Sequence, residues 1–315
     1  MLLNYCIALL FLLSNFGGTF GAKCVAHFCR RECEIVACRD VNLTETTMTE
    51  LLQRTPIQDR HHESTFYNFS QIAPFLKSFL IFARGGNVTF EESTFSSLRN
   101  LEVFKIECDR MDPTIRVPLT IPPTALQHNL KLKYFDAESV TLAEDTIQAL
   151  RSVKDRLNEL TLEFCEPANR LFSVLAEFTN LTMLEIDGLC DNEPFPPASN
   201  LKSAATLKKF TLRRCWMPTI VRQQFRGLAN LKSLAIYNSN VTRIEEGSFD
   251  DLISLNNLFL EDNFIESLPP NLFQNNKQLS HVRFVNKKRI TNFSRNNFTH
   301  VKKFEKLDFI LLPPE

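Results

Sequence analysis

The sequence predicts an α/β solenoid: a curved horseshoe with a parallel sheet on its concave face and a disulfide-stapled cap at its N-terminal end. Three observations carry this. The stretch Phe249–Asn263 spaces Phe249, Leu252, Leu255, Leu258 and Leu260 before Asn263, a step of three that tightens to two and then meets an Asn. Neither a helix nor a long alternating strand has that spacing. It suits a short strand centred on Leu258 and Leu260, then a turn in which the Asn amide bonds backbone groups. The block also recurs. Its strand-opening residues fall at 76, 101, 157, 181, 207, 231, 255 and 279, Phe304 closes the series, and the steps from 157 onward are 24, 26, 24, 24, 24 and 25. A unit that short cannot bury its own apolar face, so copies must stack. Finally, Phe95, Phe225, Phe249, Phe273 and Phe298 each stand six residues before a strand-opening residue, a phase that composition alone does not produce.

In chain order, residues 1–22 read as a secretory signal: Leu2–Leu13 is mostly apolar, too short to span a bilayer, and is followed by small residues up to Ala22. Residues 23–60 form the cap. Cys24, Cys29, Cys33 and Cys38 lie in a C-x4-C-x3-C-x4-C run directly after the signal. That context favours disulfides over zinc, and the spacing alone leaves three connectivities open. Thr47–Gln53 suits a short helix, and His61 and His62 lie in a polar loop without further metal-ligand partners. Residues 61–312 are about ten repeats, irregular before 157, with room for one lengthened copy between 101 and 157. Within it, Asp112–Thr124 is extended and Pro-rich, and Leu142–Leu157 reads as a helix on the convex side. Glu193–Ser199 is a second Pro-rich convex segment, and residues 313–315 are a short tail. Cys165 and Cys215 stand where Asn263 stands in its own block, with Cys190 one residue further on. Neighbouring turns lie about 5 Å apart. A disulfide from Cys190 to either one, or buried thiols, are both open.

The block and its period resemble leucine-rich repeats, and the cysteine run resembles the N-terminal cap of secreted animal leucine-rich repeat proteins. That resemblance implies the pairs Cys24–Cys33 and Cys29–Cys38. In layout the chain is similar to the non-catalytic leucine-rich repeat subunit of a secreted shrimp luciferase, and to Toll-type receptor ectodomains. The resemblance implies a binding protein rather than an enzyme. The residues agree: the chain has no G-x-S-x-G, H-E-x-x-H or G-x-G-x-x-G motif, and its eight glycines form no phosphate-cradling loop. No cofactor or metal is expected. A net charge of zero gives no global field for nucleic acid, and no segment reads as a membrane span.

The expected function is therefore extracellular protein binding through the concave sheet. Seven Asn-x-Ser/Thr sequons, at Asn42, Asn68, Asn87, Asn180, Asn240, Asn292 and Asn297, fall outside the concave strand blocks and leave that face bare of candidate glycans. By the period-two rule, Glu159, Glu163, Glu185 and Asp187 form an acidic patch there, followed by Lys209, Arg213 and Arg214. Tyr237, Phe259, Glu261, His281, Arg283 and Val285 come next, and aromatic residues beside arginine make Tyr237 and Phe259 the expected anchors. Two other roles fit the layout, an accessory subunit that stabilises a secreted enzyme of luciferase-like oxidase type and the ectodomain fragment of a Toll-like or adhesion-type receptor. Lys287–Arg289 with Lys302 and Lys303 is a weak candidate for a sulfated glycan.

Overall fold

The computed structural model describes residues 76–286 apart from 84–86, 109–115, 166–167 and 189–194. It also describes 25–29, 32–38, 41–43, 57–58 and 64–65, together with 290, 298, 301 and 306–311. The signal, most of the cap segment, the basic runs at 287–289 and 302–303, His61, His62 and the expected helix at 47–53 lie outside these residues.

One twelve-stranded sheet runs the length of the molecule in chain order. Its strands are β1 (Val25–Cys29), β2 (Glu32–Cys38), β3 (Ser78–Ala83), β4 (Val103–Cys108), β5 (Tyr134–Glu138) and β6 (Glu159–Glu163). They continue with β7 (Met183–Asp187), β8 (Lys209–Arg213), β9 (Ser233–Tyr237), β10 (Asn257–Asn263), β11 (His281–Asn286) and β12 (Lys306–Leu311). The first two pair as an antiparallel hairpin; every later neighbour is parallel. The hairpin carries Cys29, Cys33 and Cys38, whose side chains are outside the described residues, as is Cys24.

The two strand leucines of each block point inward, as the spacing requires. Leu184 and Ile186, Phe210 and Leu212, Leu234 and Ile236, and Leu258 and Leu260 are all fully buried. Each contributes about 1.5–3 kcal/mol by leaving water. A second sheet of short strands packs on the same core from the convex side, in the order Val140–Leu142, Val117–Thr120, Val88–Phe90, Val41–Leu43. The phased phenylalanines stack along the axis: Phe225 to Phe249 and Phe249 to Phe273 have centroids 6.1 and 5.9 Å apart with interplanar angles of 12°. Phe298 continues the column at 5.1 Å.

Three short helices, α1 (Glu92–Ser97), α2 (Glu144–Arg151) and α3 (Ala168–Leu175), belong to the connections. The helix expected over Leu142–Leu157 is cut at both ends. Leu142 closes a convex strand, and residues after Arg151 turn back toward β6 because Leu157 must open the next strand block. The lengthened repeat opens at Leu132, which is buried, whereas Leu130 is exposed.

The turn chemistry follows the expectation at Asn263. Its side chain is fully buried, its Nδ2 donates to Ile236 O (2.9 Å) and Glu261 O (3.0 Å), and its Oδ1 accepts from Ser239 N (3.0 Å) and Val241 N (3.2 Å). Two further asparagines were not foreseen. Asn129 donates to Phe95 O and Leu98 O, and Asn276 to Phe249 O and Leu252 O, at 2.8–2.9 Å. Each stands three residues before a strand-opening leucine, where Leu98, Leu228 and Leu252 stand in other blocks, and ties its repeat to the carbonyls of the previous one.

Candidate functional site

The concave residues fall on a grid, because each strand pairs in register with the next. The outer row reads Val103, Tyr134, Glu159, Met183, Lys209, Ser233, Asn257, His281. The middle row reads Lys105, Asp136, Thr161, Glu185, Thr211, Ala235, Phe259, Arg283. The inner row reads Glu107, Glu138, Glu163, Asp187, Arg213, Tyr237, Glu261, Val285.

Most residues read from the sequence as the binding patch come together in the second half of this grid. The Arg213 guanidinium lies 4.2 Å from the Tyr237 ring centroid, and its Nε donates to Glu185 Oε1 at 3.2 Å. Phe259 lies directly between Ala235 and Arg283 and diagonal to Tyr237, whose own register partner on β10 is Glu261. Arg283 Nη1 donates to Glu261 Oε1 at 3.3 Å. Burial, reinforced by the Glu261 carboxylate, pushes the Tyr237 phenol above its ordinary pKa. Three expectations need correction. Tyr237 and Phe259 are half-buried rather than exposed, because Arg213 covers one and neighbouring strands flank the other. Asp187 is 2% exposed: Arg214, from the turn after β8, closes over its carboxylate, and Val285 is buried too. His281 lies in the outer row, two rows from Glu261, with Nδ1 3.0 Å from Ser280 Oγ rather than beside the Tyr237 ring.

A feature that spacing does not reveal borders this patch. The residue following β5 to β9, together with Asp262 at the same phase of β10, has left-handed backbone in each of these six repeats: Ser139, Phe164, Gly188, Arg214, Asn238 and Asp262, with φ between 46° and 67°. The N–H of each of the first five donates to the carbonyl beside it on the next strand, at 2.7–3.0 Å. A phenylalanine there is uncommon. The Phe164 ring lies over Gly188, where a Cβ would stand 2.7 Å from its Cδ1. Arg214 and Arg116 place their guanidinium carbons 4.3 and 5.2 Å from the same ring's centroid. Arg214 also pairs with Glu163 at 3.4 Å and with Asp187. Trp216, the chain's one tryptophan, is 43% exposed two residues on.

The fold is a leucine-rich repeat solenoid. Residues 199–311 match the model of the BspA-type leucine rich repeat region, in six copies. No curated protein matches the chain. A chain of the Drosophila Toll–Spätzle complex is similar in structure, with a TM-score of 0.51 and 12% identity over 89% of this chain and 44% of that one. A Leptospira interrogans LRR protein gives a TM-score of 0.55 and 15% identity over 82% of this chain and 62% of that one. The chain thus spans about half the length of the structures it is similar to.

Of the turn cysteines in the leucine-rich repeats, Cys165 and Cys215 lie among the described residues and Cys190 does not. Cys165 is a free, buried thiol whose Sγ contacts Ala137 O at 3.2 Å, and burial pushes its pKa up to about 12. Cys215 is likewise buried, and Cys165, as a free thiol, is not bridged to Cys190. Of the sequons, Asn42 lies in a convex strand, while Asn87, Asn180 and Asn240 are exposed outside the concave sheet. Asn68, Asn292 and Asn297 are outside the described residues. Among the described residues no His, Cys, Asp and Glu group converges on a metal site, and no helix is long and apolar enough to cross a membrane.

Proposed function

We propose that this chain is a secreted, glycosylated extracellular protein that binds a protein partner through its concave sheet and performs no catalysis itself. The observation that carries the reading is the cluster of Glu185, Arg213, Tyr237, Phe259, Glu261 and Arg283, ordered by the Arg213–Glu185 and Arg283–Glu261 ion pairs and one stacked guanidinium on a face free of sequons. Half-buried aromatics beside arginines are what an interface centre is made of: they bring large area at low conformational cost. A solenoid sheet offers such a cluster as a continuous, rigid surface.

Mass spectrometry of the native protein from its secretion, without crosslinking, tests the reading. A second chain in fixed ratio supplies the partner, and an enzymatic activity in that chain would make this protein its accessory subunit. Tyr237→Ala with Phe259→Ala should then weaken binding by more than about tenfold with an unchanged circular dichroism spectrum. Unchanged affinity in a direct titration overturns the placement of the site.

A further inference from the structure

Trp216 and Asn240 occupy the same place in neighbouring repeats. The short strands Thr219–Ile220 and Arg243–Ile244 pair Thr219 with Arg243, and the same offset brings residue 216 beside 240. The backbone holds this placement: Cys215 N and Met217 N, on either side of Trp216, donate to Ser239 Oγ (3.3 Å) and Ser239 O (2.9 Å). One repeat further, Asn263 Oδ1 accepts from Ser239 N and Val241 N, on either side of Asn240, and Phe264 N donates to Val241 O at 2.8 Å. Trp216, Asn240 and Phe264 thus follow one another across three coils, at a spacing of about 5 Å.

Burial turns all three the same way. Cys215 and Met217, Ser239 and Val241, and Asn263 and Ile265 are buried, so the residue between each pair faces out of the core. Trp216 and Asn240 are exposed and Phe264 is half-buried. The Trp216 indole has no aromatic or cationic partner among the described residues, unlike the Phe164 ring, which Arg116 and Arg214 approach. Asn240 opens the sequon Asn240-Val241-Thr242. Its amide makes no hydrogen bond among the described residues, so an attached sugar displaces nothing. The Asn180 amide, in another exposed sequon, already donates to Asp155 O.

We propose that Asn240 carries an N-linked glycan whose first N-acetylglucosamine lies on the Trp216 ring. A pyranose has an apolar face of axial C–H bonds that packs flat on an aromatic ring while its hydroxyls stay in water, and the wide indole offers that surface. Phe264 closes the other side of the seat. The proposal rests on the reading of the chain as secreted and glycosylated, and adds which sequon holds its sugar and by what contact. The glycan then covers the exposed tryptophan and closes that edge of the sheet to other partners.

The chain has one tryptophan, so its fluorescence reports this seat alone. The test uses the full mature chain, secreted from cells that add only high-mannose glycans. Peptide mapping by mass spectrometry reads occupancy, and acrylamide quenching reads the indole. Endoglycosidase H leaves the first sugar on Asn240 and leaves quenching unchanged. Peptide:N-glycosidase F removes that sugar from the folded protein, and quenching rises about twofold, because the sugar covers one face of the ring. Asn240→Asp, whose side chain tolerates the φ of 56° at this position, gives the same rise with the other sequons untouched. Equal quenching in all forms of an occupied protein overturns the seat, and a rise already after endoglycosidase H assigns the cover to outer sugars and overturns it too. An empty Asn240 beside other occupied sequons overturns the proposal and leaves the secreted reading standing, whereas a chain without any glycan overturns both.

Discussion

The Arg213 guanidinium stacks on the Tyr237 ring at 4.2 Å while its Nε is fixed by Glu185, so β7, β8 and β9 are linked across the concave face by one side chain. This arrangement orders the tyrosine before any partner arrives. Arg213→Ala should therefore weaken partner binding about tenfold through lost pre-organisation. The melting temperature should barely move, because a half-exposed stack and ion pair together contribute about 1 kcal/mol or less. Arg213→Lys should not restore affinity, since an ammonium lacks the planar face that lies on the ring. A titration and a thermal melt on the three proteins decide it.

Gly188 is needed twice, once for its φ of +67° and once for the space its missing Cβ leaves to Phe164. Gly188→Ala should cost about 1–3 kcal/mol, combining left-handed strain with a clash. Phe164→Ala in the same chain should recover the clash but not the strain. A double-mutant cycle in urea should show a coupling of about 0.5 kcal/mol or more. Additive effects would mean that the ring moves aside freely.

The repeat was legible because burial wrote it in apolar spacing. Leu258, Leu260 and Phe249 announce the strand and the stack, and period-two alternation then places Arg213, Tyr237 and Phe259 on one face. Three things were not legible. Asp187 has the correct register, but its burial depends on Arg214 reaching back one strand from a turn, which no spacing encodes. The left-handed column passes through Ser, Phe, Gly, Arg, Asn and Asp, so glycine marks only one of its members. Asn129 and Asn276 break the leucine pattern as polar residues; asking where the carbonyls of the preceding turn find donors would have found them. The run of carboxylates on the concave face was partly visible, since Glu159, Glu163, Glu185 and Asp187 could be read from the sequence. Asp136 and Glu138 could not, because β5 belongs to the lengthened repeat whose phase the sequence blurs.

Asn263 satisfies two backbone donors and two carbonyls in a fully buried turn. Asn263→Leu strands the Ser239 and Val241 N–H groups and should cost about 2 kcal/mol or more, since each buried orphan costs about 1–3 kcal/mol. Asn263→Cys should cost less, because Cys165 and Cys215 already serve at this position in other repeats, with the Cys165 thiol 3.2 Å from Ala137 O. Urea unfolding of both variants ranks them, and equal losses would show that shape rather than hydrogen bonding governs the turn.

Glu159 gives the concave face a pH-dependent contribution to stability. Burial raises its pKa above the ordinary glutamate value, with Lys209 acting weakly against it. The folded chain therefore holds this proton more tightly than the unfolded chain does. Its contribution is fully present below the unfolded pKa and is lost as pH rises through the raised folded value. Glu159→Gln removes that loss. Measured against wild type, the variant should gain stability steadily from acid conditions to neutrality, and the difference should level off once wild-type Glu159 is ionised in both states. A difference that stays flat with pH would mean that burial does not bias Glu159 toward its protonated form.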